Sequence, residues 1–244
     1  LVVDDTPSPA KIDAVFPNNW FSTHQGGVLM VYPMFSENRR LEVREDIVDN
    51  LAETYGYDEV IDWTPAIYQN AFLEGTGSLI LDRVNKIAYA CFSPRTHPEL
   101  LEKWGELSGY KTIGFHAANE EGIAIYHTNV MMAMGENLVV IAMGSIPDPE
   151  EKETLLASFQ ATNKEIIDLS FDQVNQFAGN MLQVENETGE KFLVMSEAAY
   201  NALTKNQLDQ INKYCTPLVA AIPTIEQYGG GSVRCMLAEI FIPN

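Results

Sequence analysis

One order of elements, two strands followed by a helix and a further strand, is written along this chain several times over. Leu1-Val2-Val3 reads as the tail of a strand and Asp4 to Pro9 as the loop after it, with two prolines blocking continuation. Gly26-Gly27 leads into a strong strand, Val28 to Pro33. Residues 37–55 then carry Leu41, Ile47, Val48 and Leu51 at helical spacing, Gly56 closes the helix, and Val60 to Trp63 is the next strand. The second copy predicts a hairpin from 78–82 and 87–91, a helix over 98–107 and a strand over 111–115. The third gives 130–133, 138–143, 149–162 and 165–169; the fourth gives 181–185, 191–195, 197–214 and 218–222. Gly231 to Cys235 opens a fifth copy that the chain does not complete.

Such a repeat decides the architecture, because each unit is one supersecondary motif and several must assemble before a shared core is buried. Its register can be counted. The polar residues leading into successive units are Asn19, Glu74, His127, Asn180 and Cys235, at steps of 55, 53, 53 and 55 residues. Equivalent positions of units arranged in a ring converge on its axis, so these five side chains are expected to face one centre. A lone free cysteine is more often a small buried hydrophobe than a nucleophile, a lone histidine more often a satisfied core residue, and Glu74 beside Gly75 could be a turn carboxylate. Together at matched positions, Cys235, His127 and Glu74 resemble an assembled thiol-catalysis site. The run Gly229-Gly230-Gly231 suits the constrained approach that such a thiol needs.

Composition narrows the rest. With 244 residues, 46 % of them hydrophobic, the chain can bury a sizeable core, and a single domain over 1–244 is expected. Cys91, Cys215 and Cys235 are few, odd in number and without metal-type spacing, which argues against a disulfide framework and for a reducing, cytoplasmic setting. No metal and no cofactor is expected, since neither a ligand spacing nor a phosphate loop is present. A formal charge of −19 disfavours nucleic acid and anionic membrane as partners and mildly favours a small cationic or zwitterionic ligand, although solubility is the plainer explanation. No apolar run reaches the roughly 18 residues of a bilayer span. Arg39, Arg40 and Arg44 fall on the first helix, where a solvated face is the expected setting. His24, His97 and His116 lie outside the repeat register and are read as surface or structural.

Several stretches carry a resemblance: VFPNNW at 15–20, YPM followed by ENRR at 32–40, EGTGSLILDR at 74–83, YHTNVMM at 126–132, GNMLQ at 179–183 and GGGSVRCM at 229–236. Taken jointly they resemble the guanidine-modifying, or pentein, superfamily of arginine deiminases, amidinotransferases and dimethylarginine hydrolases, and most closely the bacterial citrulline-cleaving hydrolases. The resemblance implies an α/β fold, a five-bladed α/β propeller of ββαβ repeats, with the first blade largely missing from this chain. It implies Cys235 as nucleophile at a ureido or guanidino carbon, His127 as acid and base, and Glu74 as the group that orients His127. It further implies Asn19, Asn129, Phe16, Asn180 and Arg234 around a free amino-acid substrate, and leaves room for a homodimer. Deiminases of this type place aspartates where Asn19 and Asn129 stand. Amides suit a neutral ureido group better than a cation, so citrulline is the expected substrate, with arginine next. An amidinotransferase, or a propeller that only binds its ligand, are the alternatives.

Overall fold

The computed structural model describes residues 3–243. Leu1 and Val2 of the expected leading strand lie outside them, and Val3 joins no strand. Among the described residues stand four three-stranded sheets, one for each ββαβ copy. The first comprises β1 (Phe21–His24), β2 (Val28–Val31) and β3 (Glu59–Asp62); the second β4 (Ile80–Asp82), β5 (Ile87–Phe92) and β6 (Lys111–His116). The third holds β7 (Met132–Met134), β8 (Leu138–Ile141) and β9 (Glu165–Asp168), and the fourth β10 (Leu182–Glu185), β11 (Lys191–Ser196) and β12 (Thr216–Ala220). In each sheet the first two strands pair antiparallel and the third returns parallel to the second. A tight turn suffices for the hairpin. The parallel return needs a crossover, which the helices Glu45–Tyr55, Pro98–Ser108, Pro149–Ala161 and the pair Glu197–Ala202 and Lys205–Ile211 supply. Where the fifth copy opens, the described residues form the 3₁₀ turn Val233–Met236.

The central strands of the first three units, β2, β5 and β8, read as continuous apolar runs because their two faces are largely covered, whereas β11 is only partly buried. All four residues of β8 are fully buried. Polar groups inside are matched. Trp104 Nε1 donates to the Tyr32 hydroxyl at 3.1 Å, and Ser22 Oγ lies 2.7 Å from that hydroxyl and 2.8 Å from His24 Nε2, a chain that ties the first unit to the helix of the second. Lys164 Nζ pairs with Asp82 at 2.8 Å and donates to the carbonyls of Gly135 and Glu136 at 3.0 and 2.7 Å. Burying that ammonium is tolerable only because each of these acceptors meets it.

The structure corrects four expectations. The strand Phe21–His24 was not anticipated, because all four of its residues are buried and no polar alternation marks it. The expected helix over 37–55 is two helices, Glu37–Arg40 and Glu45–Tyr55, and the break turns Arg39 and Glu42 inward. The expected helix over 197–214 is likewise divided, since Thr204 caps a new start in a box with Gln207. Finally, the strands expected from 78 and 130 begin at Ile80 and Met132, each preceded by a single helical turn, Gly75–Ser78 and Thr128–Met131.

Candidate active site

Those helical turns are what present the register residues. Glu74 and His127 each stand immediately before such a turn, Asn19 ends the 3₁₀ turn Pro17–Asn19, and Cys235 lies within Val233–Met236. Gly75 takes a left-handed φ of 46°, and a Cβ there would stand 2.4 Å from the Asn18 carbonyl oxygen. The first two turns can pack this closely only over glycine.

His127 Nε2 lies 2.6 Å from Glu74 Oε2, with both side chains buried. The Phe35 backbone N–H donates to Glu74 Oε1 at 2.8 Å, and Arg95 Nη1 is 3.4 Å from Oε2. Burial works to raise the Glu74 pKa, but the hydrogen bond and charge of His127, with Arg95 and the Phe35 amide, outweigh it and hold the carboxyl at about 2. Burial likewise pushes the His127 imidazole below its ordinary value, against the opposing pull of Glu74. Near neutral pH the carboxylate is therefore ionised and can only accept, so the neutral imidazole carries its hydrogen on Nε2 and keeps a bare Nδ1.

Around Cys235 the partners are amides. Asn129 Nδ2 donates to Cys235 Sγ at 3.3 Å and Asn180 Nδ2 at 3.2 Å. Asn180 is in turn fixed by the backbone N–H groups of Arg234 and Cys235, at 3.0 and 3.4 Å from its Oδ1. Cys235 and His127 line one cavity of ≈ 290 Å³, with Phe16, Asn19, Arg39 and Arg95 among its walls. Glu74 lies behind His127, fully buried, rather than on the wall. Tyr126 donates to the Gly230 carbonyl at 2.9 Å, closing the glycine run over the site, while the Arg95 guanidinium sits 5.0 Å above the Tyr126 ring. A second, smaller cavity of ≈ 190 Å³ reaches Cys235 from the side of Val174, Phe177 and Asn180.

Of the expected site residues, Glu74, His127, Cys235, Asn19, Asn129, Asn180 and Phe16 converge here. Phe16 acts as a wall: a Cβ on Gly229 or Gly231 would meet its ring at 2.8 Å. Asn180 holds the thiol and its loop. Arg234 does not belong to this cavity. Its Nη1 donates to the Leu237 carbonyl at 2.7 Å and its Nη2 pairs with Glu239 at 3.4 Å, on a different cavity lined by Met134 and Gln183. In a 3₁₀ turn successive side chains point about 120° apart, so the neighbour of Cys235 faces elsewhere. Arg39 was expected on a solvated face and is instead buried, with Nη1 donating to Asn19 Oδ1 at 2.7 Å. Arg39, Arg95, Asp13 and Tyr126 are cavity residues that the register could not find, since all four fall outside it. His24 is structural, as read. Among the described residues no group of three or more His, Cys, Asp or Glu is placed to hold a metal. No helix among them is long and apolar enough to cross a membrane.

Gly77 offers a direct check on this geometry. A Cβ there would stand 2.2 Å from Asn19 Nδ2 and 3.0 Å from both Nδ1 and Cε1 of His127. Gly77→Ala must therefore push one of these groups aside, and kcat/KM is expected to fall about 100-fold, the usual cost of misplacing a reacting group by an ångström. Steady-state kinetics on a variant with unaltered circular dichroism measures it; activity within threefold of the parent would mean that the two groups do not act together.

Units of ββαβ that bring cysteine, histidine and glutamate to a common centre define the guanidine-modifying pentein superfamily, and this chain is a member. Residues 1–242 match the family described as N,N dimethylarginine dimethylhydrolase, eukaryotic, and the chain belongs to that family. Solved structures agree in fold. ArgZ, an arginine dihydrolase of the ornithine-ammonia cycle in Cyanobacteria, is similar in its apo form at a TM-score of 0.75 and 14 % identity, over 96 % of this chain and 34 % of that one. Its N-terminal domain bound to substrate gives 0.75 and 13 % over 97 % of this chain and 79 % of the domain. SxtG, an amidinotransferase of saxitoxin biosynthesis from Microseira wollei, gives 0.68 and 12 % over 93 % of this chain and 68 % of that one. The chain thus spans about a third of full-length ArgZ and most of its N-terminal domain. No curated protein matches the sequence.

Proposed function

We propose that this chain hydrolyses a C–N bond at the ureido or guanidino carbon of a free amino acid, with citrulline the best-matched substrate and Cys235 the nucleophile. The observation that carries the choice is the pair of unpartnered amide atoms beside the site, Asn19 Nδ2 and Asn129 Oδ1, both buried and without a hydrogen-bond partner. One is a donor and the other an acceptor. A ureido group offers one carbonyl oxygen to the donor and an NH2 to the acceptor, whereas a guanidinium has only N–H donors and would leave Asn19 Nδ2 facing a like group. An unmet donor in a desolvated site costs about 1–3 kcal/mol. Arg95 and Asp13 on the same cavity supply both charge signs that a zwitterionic amino-acid end requires.

The chemistry then runs through named atoms. His127 Nδ1 takes the proton of the Cys235 thiol as its sulfur adds to the ureido carbon, then passes that proton to the substrate's side-chain nitrogen, so that the C–N bond breaks, ornithine departs and an S-carbamoyl cysteine remains. Water, deprotonated by His127 Nδ1, attacks that carbon; the thiolate leaves, and carbamate decomposes to ammonia and carbon dioxide. Glu74 holds the imidazole in the tautomer that exposes Nδ1. With arginine the same addition expels ammonia and gives an S-alkylthiouronium adduct, and the family description, with ArgZ described as an arginine dihydrolase, makes arginine the comparison substrate.

Ammonia and ornithine released from citrulline, arginine and methylated arginines test the reading. Citrulline is expected to show the highest kcat/KM, and Asn19→Asp with Asn129→Asp is expected to lower citrulline turnover by roughly one to two decades, the worth of one well-placed hydrogen bond. Equal citrulline turnover in parent and double variant would show that these amides do not read the ureido group. A parent preference for arginine would overturn citrulline as the substrate.

A further inference from the structure

An asparagine side chain has nearly the same shape whichever way its amide faces, so a buried asparagine can offer a ligand either a donor or an acceptor. Its other neighbour decides which. For Asn19 that neighbour is Arg39, whose guanidinium has five N–H donors and no acceptor. The 2.7 Å contact from Arg39 Nη1 must therefore be to oxygen, which leaves Nδ2 as the free end, and this is the atom found without a partner.

Arg39 is itself held so that it cannot swing away. Its Nε and Nη2 donate to the two oxygens of Glu42 at 2.9 and 2.7 Å, and Nη2 also reaches the Phe16 carbonyl at 3.1 Å. Arg39, Glu42 and Asn19 are 6, 3 and 2 % exposed, so neither water nor salt competes with this fork. The break between the helices Glu37–Arg40 and Glu45–Tyr55 brings the pair inward, a departure from the regular helix that the apolar spacing predicts. Buried ion pairs contribute little net stability compared with apolar residues of like volume, so stability alone is a weak reason for this one. The pair is neutral as a unit and adds no net charge beside a neutral ligand.

We infer that Arg39, clamped by Glu42, is a positioning residue for substrate choice: it commits the Asn19 amide to present its NH2 to the reacting group and so tilts the site from guanidino toward ureido ligands. The inference rests on the ureido reading above. Arg39 also lines the cavity, so direct contact with substrate is the competing explanation, and a purely structural role is the other.

Calorimetric affinities of L-citrulline and L-arginine, measured on full-length Cys235→Ser protein where no turnover intervenes, separate the three. Arg39→Lys keeps a donor-only group and is expected to hold the citrulline-to-arginine affinity ratio within about twofold, while the neutral pair Arg39→Gln with Glu42→Gln frees the Asn19 amide and lowers the ratio about tenfold, the worth of one misdirected hydrogen bond. In an Asn19→Ala background the same pair is expected to leave the ratio unchanged, because the effect travels through Asn19. If the pair does not melt cooperatively, Arg39→Gln alone, whose amide can still donate to Glu42, takes its place. A ratio that stays constant when Arg39 is replaced beside an intact Asn19, or that shifts equally with Asn19 removed, overturns the inference alone. Binding of neither ligand to the Cys235→Ser parent overturns the ureido reading and this inference with it.

Discussion

Cys235→Ala is expected to lower kcat on every substrate by about 10⁴-fold or more, the scale seen when a covalent nucleophile is removed from a site whose members act as a unit. The fold should be little changed, because Cys235 occupies a short 3₁₀ turn whose backbone is fixed by Asn180 and Ser232, through Asn180 Oδ1 and the Ser232 carbonyl. What the variant loses is the sulfur that Asn129 and Asn180 both address. The other two cysteines cannot stand in. Cys91 is fully buried, and burial pushes its thiol up to about 11; Cys215 is buried against the Ile211 carbonyl and is likewise raised by burial. Residual turnover above a thousandth of the parent rate, in protein with an unchanged melting curve, would remove Cys235 from the nucleophile's role.

The second large effect is expected from Glu74→Gln. The side chain keeps its size, but a neutral amide replaces the carboxylate that His127 Nε2 faces at 2.6 Å. An amide can present its NH2 to Nε2 and so select the other tautomer, which removes the bare Nδ1 from the cavity. Loss of a well-placed general acid and base costs on the order of 10³-fold in kcat. The pH profile should move as well. Burial lowers the His127 pKa and Glu74 opposes it, so without the carboxylate the value falls further and the acid limb of kcat/KM shifts to lower pH. Stability carries a separate signature. Because the folded Glu74 value of about 2 lies below its ordinary 4.5, its contribution is complete above pH 4.5 and is lost as pH falls toward 2. The parent should therefore lose melting temperature across that window more steeply than Glu74→Gln. A variant with kcat within tenfold and an unmoved acid limb would deny Glu74 its orienting role.

Much of this was legible from the chain because strand, helix and repeat register are local or periodic properties. Three of the ββαβ units, the first unit apart from its opening strand Phe21–His24, and the convergence of Glu74, His127 and Cys235 follow from spacing alone. What escaped depends on side-chain direction or on places where periodicity breaks. Arg39 sits on an apolar helical pattern that the structure interrupts, and only the interruption turns it toward Asn19. Arg95 and Tyr126 come from segments between regular elements, where sequence gives no direction for a side chain. Arg234 was misplaced for the converse reason: adjacency to Cys235 in sequence says nothing about facing, and its guanidinium finds Leu237 and Glu239 instead. Asn180 was found by register, but its use of both amide ends, one on the thiol and one on the backbone of the thiol's own turn, needed coordinates.

The central claim, a covalent intermediate on one particular sulfur, is tested most directly by mixing the protein with citrulline or arginine, quenching in acid within the first turnover, and mapping the adduct by mass spectrometry of peptides. The account predicts a carbamoyl group on Cys235 with citrulline, an S-alkylthiouronium adduct on the same residue with arginine, and neither in Cys235→Ala. Turnover with no adduct at Cys235, or an adduct confined to Cys91 or Cys215, would contradict it.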